Sequence, residues 1–355
     1  MAETRTTKLT LAQIAERAGV SRSLASLALR GEPGVQLEKR ARILKIAAEL
    51  NYTPNPAARI LASNETRTIG ILVADIINPY LALFAKTIDA AARAENFDVI
   101  LSVDSATDEA AEKAVASLLS QRVAGLIFVG APASIEFVAQ VARRVPVVYV
   151  GRDLAAESIN SVSNDDRLGA SLVVRHLVEC GHKVIAHIDG GNGAGAEQRR
   201  EGFAATMVEC GLKPLIFPGR YTLDGGLEGA HLALAAKPRP TAIFVANDLS
   251  AIGVLNCILT AGLTVPGDVA VVGYDDMPFA GSETMSLTTI HQPVDHMATQ
   301  CIRNLIGRIQ RPEEPSMRVL LAPTLVARRS TLGERFKTKA DRQPEHPKQA
   351  KRAAR

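Results

Sequence analysis

The apolar positions along the chain change period near residue 68, and the change divides the sequence into two kinds of structure. Before it the spacing is helical. Leu11, Ile14, Ala15 and Ala18 recur at three and four residues, as do Ile43, Ile46, Ala47 and Leu50 further on. That recurrence places each set on one face of a helix. Thr10 stands where an N-cap is needed and Gly19 where the first helix must turn; Ser21 caps a second helix reaching about Leu29, and a third covers about residues 37–50. The turn Ala18-Gly19-Val20 is short enough to make a helix-turn-helix. Tyr52-Thr53-Pro54-Asn55-Pro56 then interrupts the helical pattern, because two prolines favour an extended link. Asn55 as N-cap and Pro56 at the first helical position can start a short helix through Ala58, Ile60 and Leu61. Alone, that helix is too short to be stable.

After residue 68, short β-branched runs alternate with helical stretches. The strand candidates are residues 69–74, 98–103, 125–129, 145–150, 184–188, 215–217, 242–246 and 269–273. Helical segments separate them at 82–95, 109–121, 168–180 and 196–210. This alternation predicts an α/β fold with parallel sheets covered on both faces. By itself it fits either one eight-stranded barrel or two open sheets.

Composition narrows the class. With 355 residues, 47% hydrophobic and 22% charged, the chain can bury two or three cores. No apolar run has the length of a membrane span and the first residues lack the apolar stretch of an export signal, so a cytoplasmic protein is expected. The four cysteines, Cys180, Cys210, Cys257 and Cys301, lie far apart among apolar neighbours and read as reduced core residues. Seven scattered histidines suggest no metal site. Charge is uneven: residues 1–64 carry ten Lys/Arg against five Asp/Glu, and residues 328–355 carry ten against three, leaving an acidic middle. Basic ends on an acidic body suggest a polyanionic partner.

The ordered motifs resemble the lactose-repressor (LacI/GalR) family over nearly the whole chain, to about Thr331. They include Thr10-Leu11-Ala12-Gln13-Ile14-Ala15, Ala18-Gly19-Val20-Ser21-Arg22-Ser23, Asn51-Tyr52-Thr53-Pro54-Asn55-Pro56-Ala57-Ala58, Asn78-Pro79-Tyr80, Gly181-His182, Ala246-Asn247-Asp248 and Gly273-Tyr274-Asp275-Asp276. The resemblance implies a helix-turn-helix headpiece (residues 1–54), a hinge helix and linker (55–66), and two Rossmann-like lobes of periplasmic-binding-protein type (67–331). The N-lobe would take about 67–161 and 292–322, the C-lobe about 162–291, with a basic tail from 332 to 355. It disfavours the barrel. Function follows as an expectation: a transcription regulator, a repressor in kind, that binds a palindromic operator in double-stranded DNA as a homodimer and is switched by a small polar effector, sugar-like or nucleoside-like. No cofactor and no membrane partner are implied.

In that frame Arg22 and Ser23 open the helix that reads base edges, while Thr10, Ser21 and Ser26 would hold phosphates. Arg22 can donate two hydrogen bonds to a guanine edge. Arg30 adds a cation at the helix end, where the family pattern differs, and Leu27 replaces a frequent base-contacting polar residue. Asn55, Ala58 and above all Leu61 match the hinge helix, whose leucine wedges into the minor groove. Ligand contacts are expected from Asn78, Tyr80, Arg199, Asn247 and Asp275, which fall at the carboxyl ends of predicted strands. To these the resemblance adds Tyr221, an aromatic that stacks on ligand, and Gln292 at a crossover between lobes. An acid found in some sugar-binding members is replaced near Gly151-Arg152.

A rival reading comes from Gly191-Asn192-Gly193-Ala194-Gly195-Ala196, which fits a loose dinucleotide fingerprint between strand and helix. The strand that follows ends in Pro218-Gly219-Arg220, without an acid for a ribose hydroxyl. An enzyme is therefore not expected.

Overall fold

The computed structural model describes residues 10–31, 33–50, 52, 66–103, 107–131, 134–152 and 159–333. Contacts divide the chain into two units, Met1–Thr66 and Arg67–Arg355.

The first unit contains helices α1 (Leu11–Ala18), α2 (Arg22–Arg30) and α3 (Leu37–Glu49). Gln13 reaches back to the chain entry, its Oε1 accepting from the Thr10 N–H at 2.8 Å, and Ser21 Oγ accepts from the Leu24 N–H at 3.2 Å. Both satisfy N–H groups that a helix start leaves unpaired. Gly19 closes α1 at φ 63°, in the left-handed region where a side chain is disfavoured. Ile14, Ala18, Ala28 and Ile43 form a small core, with Val20, Leu29, Ile46, Leu50 and Tyr52 packed around it. The calls at Asn55, Ala58 and Leu61 lie outside the described residues.

The second unit is built on two parallel sheets. One has six strands: β1 (Thr68–Val73), β2 (Asp98–Val103), β3 (Gly125–Val129), β4 (Val147–Val150), β5 (Asn160–Asn164) and β11 (Arg318–Leu321), in the order β11-β5-β4-β3-β1-β2. The other has four: β6 (Ile185–Ile188), β7 (Leu215–Phe217), β8 (Ala242–Val245) and β9 (Ala270–Val272), in the order β7-β6-β8-β9. A short antiparallel pair, β10 (Thr289–His291) with β12 (Thr324–Val326), accompanies the second sheet. The sheets are open and the eight-stranded barrel is excluded.

Alternation along the strands explains the layering. On β1, Ile69, Ile71 and Val73 join one core with Phe84 and Ile88 of α4 (Pro79–Ala94) and with Met297, Cys301 and Leu305 of α11 (Val294–Gln310). Leu72 faces the other way, into a core with Val115 and Leu118 of α5 (Asp108–Ser120) and Val138 of α6 (Ile135–Ala142). The C-lobe sheet repeats the arrangement. Ile243 and Val245 of β8 pack toward α9 (Leu223–Ala235) and α10 (Asp248–Thr260), whereas Ala242 and Phe244 pack toward α7 (Asp166–Glu179) and α8 (Ala196–Glu209). Strands buried on both faces must be apolar throughout, as β3 is with its sequence Gly-Leu-Ile-Phe-Val.

The lobe boundaries differ from those expected. β5 belongs to the six-stranded sheet as far as Asn164, pairing with both β4 and β11, so the first crossing follows Asn164 rather than Ser161. Its sequence, Asn-Ser-Val-Ser-Asn, has no apolar run to mark a strand. Residues beyond 322 return to the C-lobe: β12 pairs with β10, and α12 (Arg329–Leu332), one residue into the expected tail, buries Ser330 and Thr331. Three segments therefore connect the lobes, near residues 165, 292 and 322. Cys257 and Cys301 are buried and Cys180 and Cys210 half-buried, all four with free thiols.

Candidate functional site

A cleft of about 230 Å³ opens between the two lobes of the second unit. All seven side chains expected to meet ligand line it: Asn78, Tyr80, Arg199, Tyr221, Asn247, Asp275 and Gln292. They converge because parallel strands of both sheets end there, and helix starts and loops at those ends carry the polar residues.

Asn78 caps α4, its Oδ1 accepting from the Tyr80 N–H at 3.0 Å. Pro79 follows at the first helical position, where its missing N–H costs nothing. The turn sets Tyr80 into the cleft, and its hydroxyl donates to Gln292 Oε1 at 3.0 Å. Gln292 Nε2 in turn donates to Asp275 Oδ1 at 2.7 Å. One chain of hydrogen bonds thus runs from the N-lobe helix through a lobe crossing to the C-lobe. Asp275 is held at φ 116°, a conformation rare for a residue with a side chain, by its N–H bond to the Ile290 carbonyl at 2.8 Å. Such strain persists where surrounding contacts over-determine it, commonly at ligand sites. Burial pushes its carboxyl well above the usual carboxylate range; the Arg199 charge opposes this and the nearby Asp248 carboxyl reinforces it.

Arg199 is the densest node. Its Nε donates to Asp166 Oδ1 at 2.9 Å, both side chains being under 8% exposed. Its Nη1 donates to the Ala246 carbonyl, and its guanidinium carbon sits 3.6 Å from the Tyr274 ring centre. Burial acts to lower the guanidinium pKa, yet the Asp166 carboxylate and the surrounding tyrosines and acid raise it overall. Asn247 caps α10 and shares a capping box with Ser250. Tyr221 hydrogen-bonds the Ala194 carbonyl at 2.9 Å. Burial drives both the Tyr80 and Tyr221 phenols above their ordinary value, leaving them protonated donors.

Three residues that build the site escaped the sequence reading as site residues: Asn164, Asp166 and Tyr274. Asn164 Nδ2 donates to the Tyr274 hydroxyl at 2.6 Å, while its Oδ1 is buried without a hydrogen-bond partner. Asn164 and Asp166 line the cleft, but they follow the polar strand that went unrecognised. Asp248 is fully buried and structural: it accepts from Thr289 Oγ1 at 2.6 Å and from the Met277 N–H at 2.8 Å.

The glycine-rich segment has a packing explanation. A Cβ on Gly193 would lie 2.3 Å from Cε2 of Tyr221, so the dinucleotide-like spacing serves to seat an aromatic ring. Among the described residues no group of three His, Cys, Asp or Glu is placed to hold a metal, and no helix is long and apolar enough to cross a membrane.

In the first unit, Arg22 and Ser23 are exposed at the start of α2, one and two positions beyond the capping Ser21, which is also exposed. Thr10 is exposed before α1, and its hydroxyl lies 3.2 Å from Gln13 Oε1. Ser26 is half-buried on α2 and Arg30 ends that helix.

A helix-turn-helix unit followed by a two-lobed cleft defines a ligand-responsive DNA-binding regulator. Residues 10–55 match the bacterial regulatory proteins of the lacI family, and residues 174–331 match the periplasmic binding protein-like domain. The chain is 31% identical over 328 residues to the ribose operon repressor of Escherichia coli (strain K12), covering 90% of this chain and 99% of that protein. It is 30% identical over 319 residues to the probable HTH-type transcriptional repressor ExuR of Bacillus subtilis (strain 168), covering 88% and 95%. Its fold is similar to that of the lac repressor dimer bound to operator and the anti-inducer ONPF, with a TM-score of 0.83, 29% identity and coverage of 92% and 99%. The chain belongs to the lacI family. It is a DNA-binding transcription regulator controlled by a small-molecule effector.

Proposed function

We propose that the protein is a cytoplasmic repressor, without enzymatic activity, that binds a palindromic operator as a homodimer and changes affinity when a small sugar-like ligand enters the cleft. The observation that carries this reading is the convergence of the seven expected ligand residues on one cavity between lobes joined by three crossings. A ligand held by both lobes stabilises one arrangement of them, and DNA affinity shifts by the difference in ligand affinity between the two arrangements. Asp275, Arg199 and Asn247 would bind ligand hydroxyls, since carboxylate, guanidinium and amide each offer two or more hydrogen-bonding positions. Tyr221 would cover the ring of the ligand.

For DNA, Arg22 and Ser23 would read base edges in the major groove. Thr10, Ser21 and Ser26 would fix the backbone register, Arg30 would add charge, and Asn55, Ala58 and Leu61 would form the minor-groove contact. The test is retention of genomic fragments by the purified protein, repeated with a pool of sugars. Recovery of a two-fold symmetric sequence whose binding changes with one compound supports the reading. Retention that is sequence-independent and lost with salt overturns it.

A further inference from the structure

We infer that the cleft selects an uncharged, monosaccharide-sized polyol with one unhydroxylated end, a deoxy-sugar, and rejects uronates and sugar phosphates. The inference rests on the proposed sugar-like effector and concerns the chemistry of that ligand.

The first argument is charge. Among the described residues lining the cavity, Arg199 is the single cation, set against the carboxyl groups of Asp75, Asp166 and Asp275. That cation is already matched: Asp166 takes its Nε at 2.9 Å, the Ala246 carbonyl takes Nη1, and Tyr274 covers a face at 3.6 Å. Its other N–H bonds can still donate to neutral hydroxyls. A ligand carboxylate or phosphate would instead bring a further negative charge into a site with no cation left to balance it, and a buried charge without a partner is strongly disfavoured. The neighbouring Arg200 and Arg152 are not among the residues that line the cavity. Arg200 bonds Asp189 at 2.6 Å, and Arg152 donates to the Asn192 carbonyl at 3.2 Å.

The second argument is the distribution of polarity. The hydrogen-bonding side chains of the N-lobe side are those of Asp75, Asn78 and Tyr80, and the rest of that wall offers the apolar Leu81, Phe84, Val129 and Val150, the last three at most 3% exposed. The one hydroxyl on that side, of Tyr80, is turned to Gln292. A ligand hydroxyl facing these carbons would lose water and gain no partner, while a methyl group would gain burial. A volume of about 230 Å³ leaves room for one sugar ring.

The test is titration calorimetry on the full chain with matched sets of sugars that differ only at carbon 6. The probes are D-fucose, L-fucose, L-rhamnose and D-quinovose, with their 6-hydroxy parents, the corresponding uronates and the 6-phosphates. The expected result is that one deoxyhexose binds about 10-fold or more tighter than its parent, the range for a polar group set in an apolar pocket, and that its uronate and phosphate give no heat. Val150→Thr, which adds a hydroxyl at nearly constant volume, should narrow the deoxy preference. A uronate or phosphate that binds, a parent hexose that binds as tightly as its deoxy form, or a set in which no deoxyhexose binds overturns the inference. None of these results touches the repressor reading, which stands or falls on the recovery of a specific operator.

Discussion

The Arg199 guanidinium carbon lies over the Tyr274 ring, 3.6 Å from its centre, and this contact joins two elements at the cleft. Arg199 comes from α8 and Tyr274 from the turn after β9. Asp166, bonded to Arg199, begins α7, and Asn164, bonded to Tyr274, ends β5. The floor of the site is therefore a connected network of polar groups in which Asn164 Oδ1 is left without a hydrogen-bond partner, and the network fixes the geometry before any ligand arrives.

Removing one member should expose that interdependence. Arg199→Ala leaves the Asp166 carboxylate buried without its cation, at a cost of about 3–5 kcal/mol, and abolishes the ligand response. Pairing it with Asp166→Asn removes the stranded charge, so the double variant should regain much of the stability while remaining unresponsive. Denaturant midpoints and ligand-dependent operator release measure the two effects separately. A single variant as stable as the parent would mean that the ion pair contributes nothing.

The hydrogen-bond chain Tyr80–Gln292–Asp275 predicts a smaller effect. Tyr80→Phe leaves Gln292 Oε1 without its donor, which costs on the order of 1 kcal/mol, and severs the polar link between the lobes. Ligand affinity should fall several-fold while operator affinity without ligand stays unchanged. An unaltered ligand titration would remove Tyr80 from the site.

Much of this arrangement was legible in the sequence, for identifiable reasons. Asn78-Pro79, Asn247-Asp248 and Gly273-Tyr274-Asp275 announce helix starts and turns after apolar strands, and such positions fall at strand ends by topology. What stayed hidden were residues whose environment is made by distant chain. Asn160–Asn164 forms a strand because β4 and β11 flank it, and its alternating polar residues carry no local signal. Its misreading hid Asn164 and Asp166 and set the lobe boundary a few residues early. In the headpiece, cap and turn residues made all three helices readable.

His187 gives the fold a pH dependence in the acid range. Its ring is stacked on Phe244 at 4.5 Å and packed beside Phe203 at 5.3 Å. Nδ1 lies 3.1 Å from the Phe244 carbonyl and Nε2 has no partner. Burial, only partly opposed by the Phe244 hydrogen bond, lowers its pKa to about 4. The folded state thus prefers the neutral ring, while the unfolded chain gains a proton near pH 6.5. This contribution is complete above pH 6.5 and is lost as pH falls toward 4, by up to roughly 3 kcal/mol. Urea unfolding at a series of pH values should show the loss, and His187→Phe should remove that component; identical slopes in the two proteins would refute the assignment.

The headpiece prediction separates sequence reading from simple attraction. Arg22 is exposed at the start of α2, and a bidentate guanine contact is worth about 1–3 kcal/mol of discrimination. Arg22→Ala should relax specificity at one base pair of each half-site. Leu61→Ala should instead weaken operator binding broadly while sparing ligand affinity. Competition binding against an operator library distinguishes the two, and an Arg22→Ala protein with an unchanged base preference would exclude Arg22 from readout.

Gly193 tests whether Tyr221 is a ligand contact or a packing residue. Gly193 does not adopt a positive φ, so alanine is acceptable to its backbone and the effect of substitution is steric alone. The added Cβ would fall 2.3 Å from Cε2 and 2.5 Å from Cδ2 of the Tyr221 ring, and the ring is tethered by its hydroxyl to the Ala194 carbonyl. Either the ring or the loop must move, at a cost of about 1–3 kcal/mol for overpacking. If Tyr221 covers the ligand, Gly193→Ala should lower ligand affinity, by about 10-fold for each 1.4 kcal/mol lost at the contact, with headpiece binding to operator unaffected. Tyr221→Phe, which keeps the ring but frees the tether, should lose less. Reduced thermal stability with an unchanged ligand titration would assign Tyr221 to the packing of the loop.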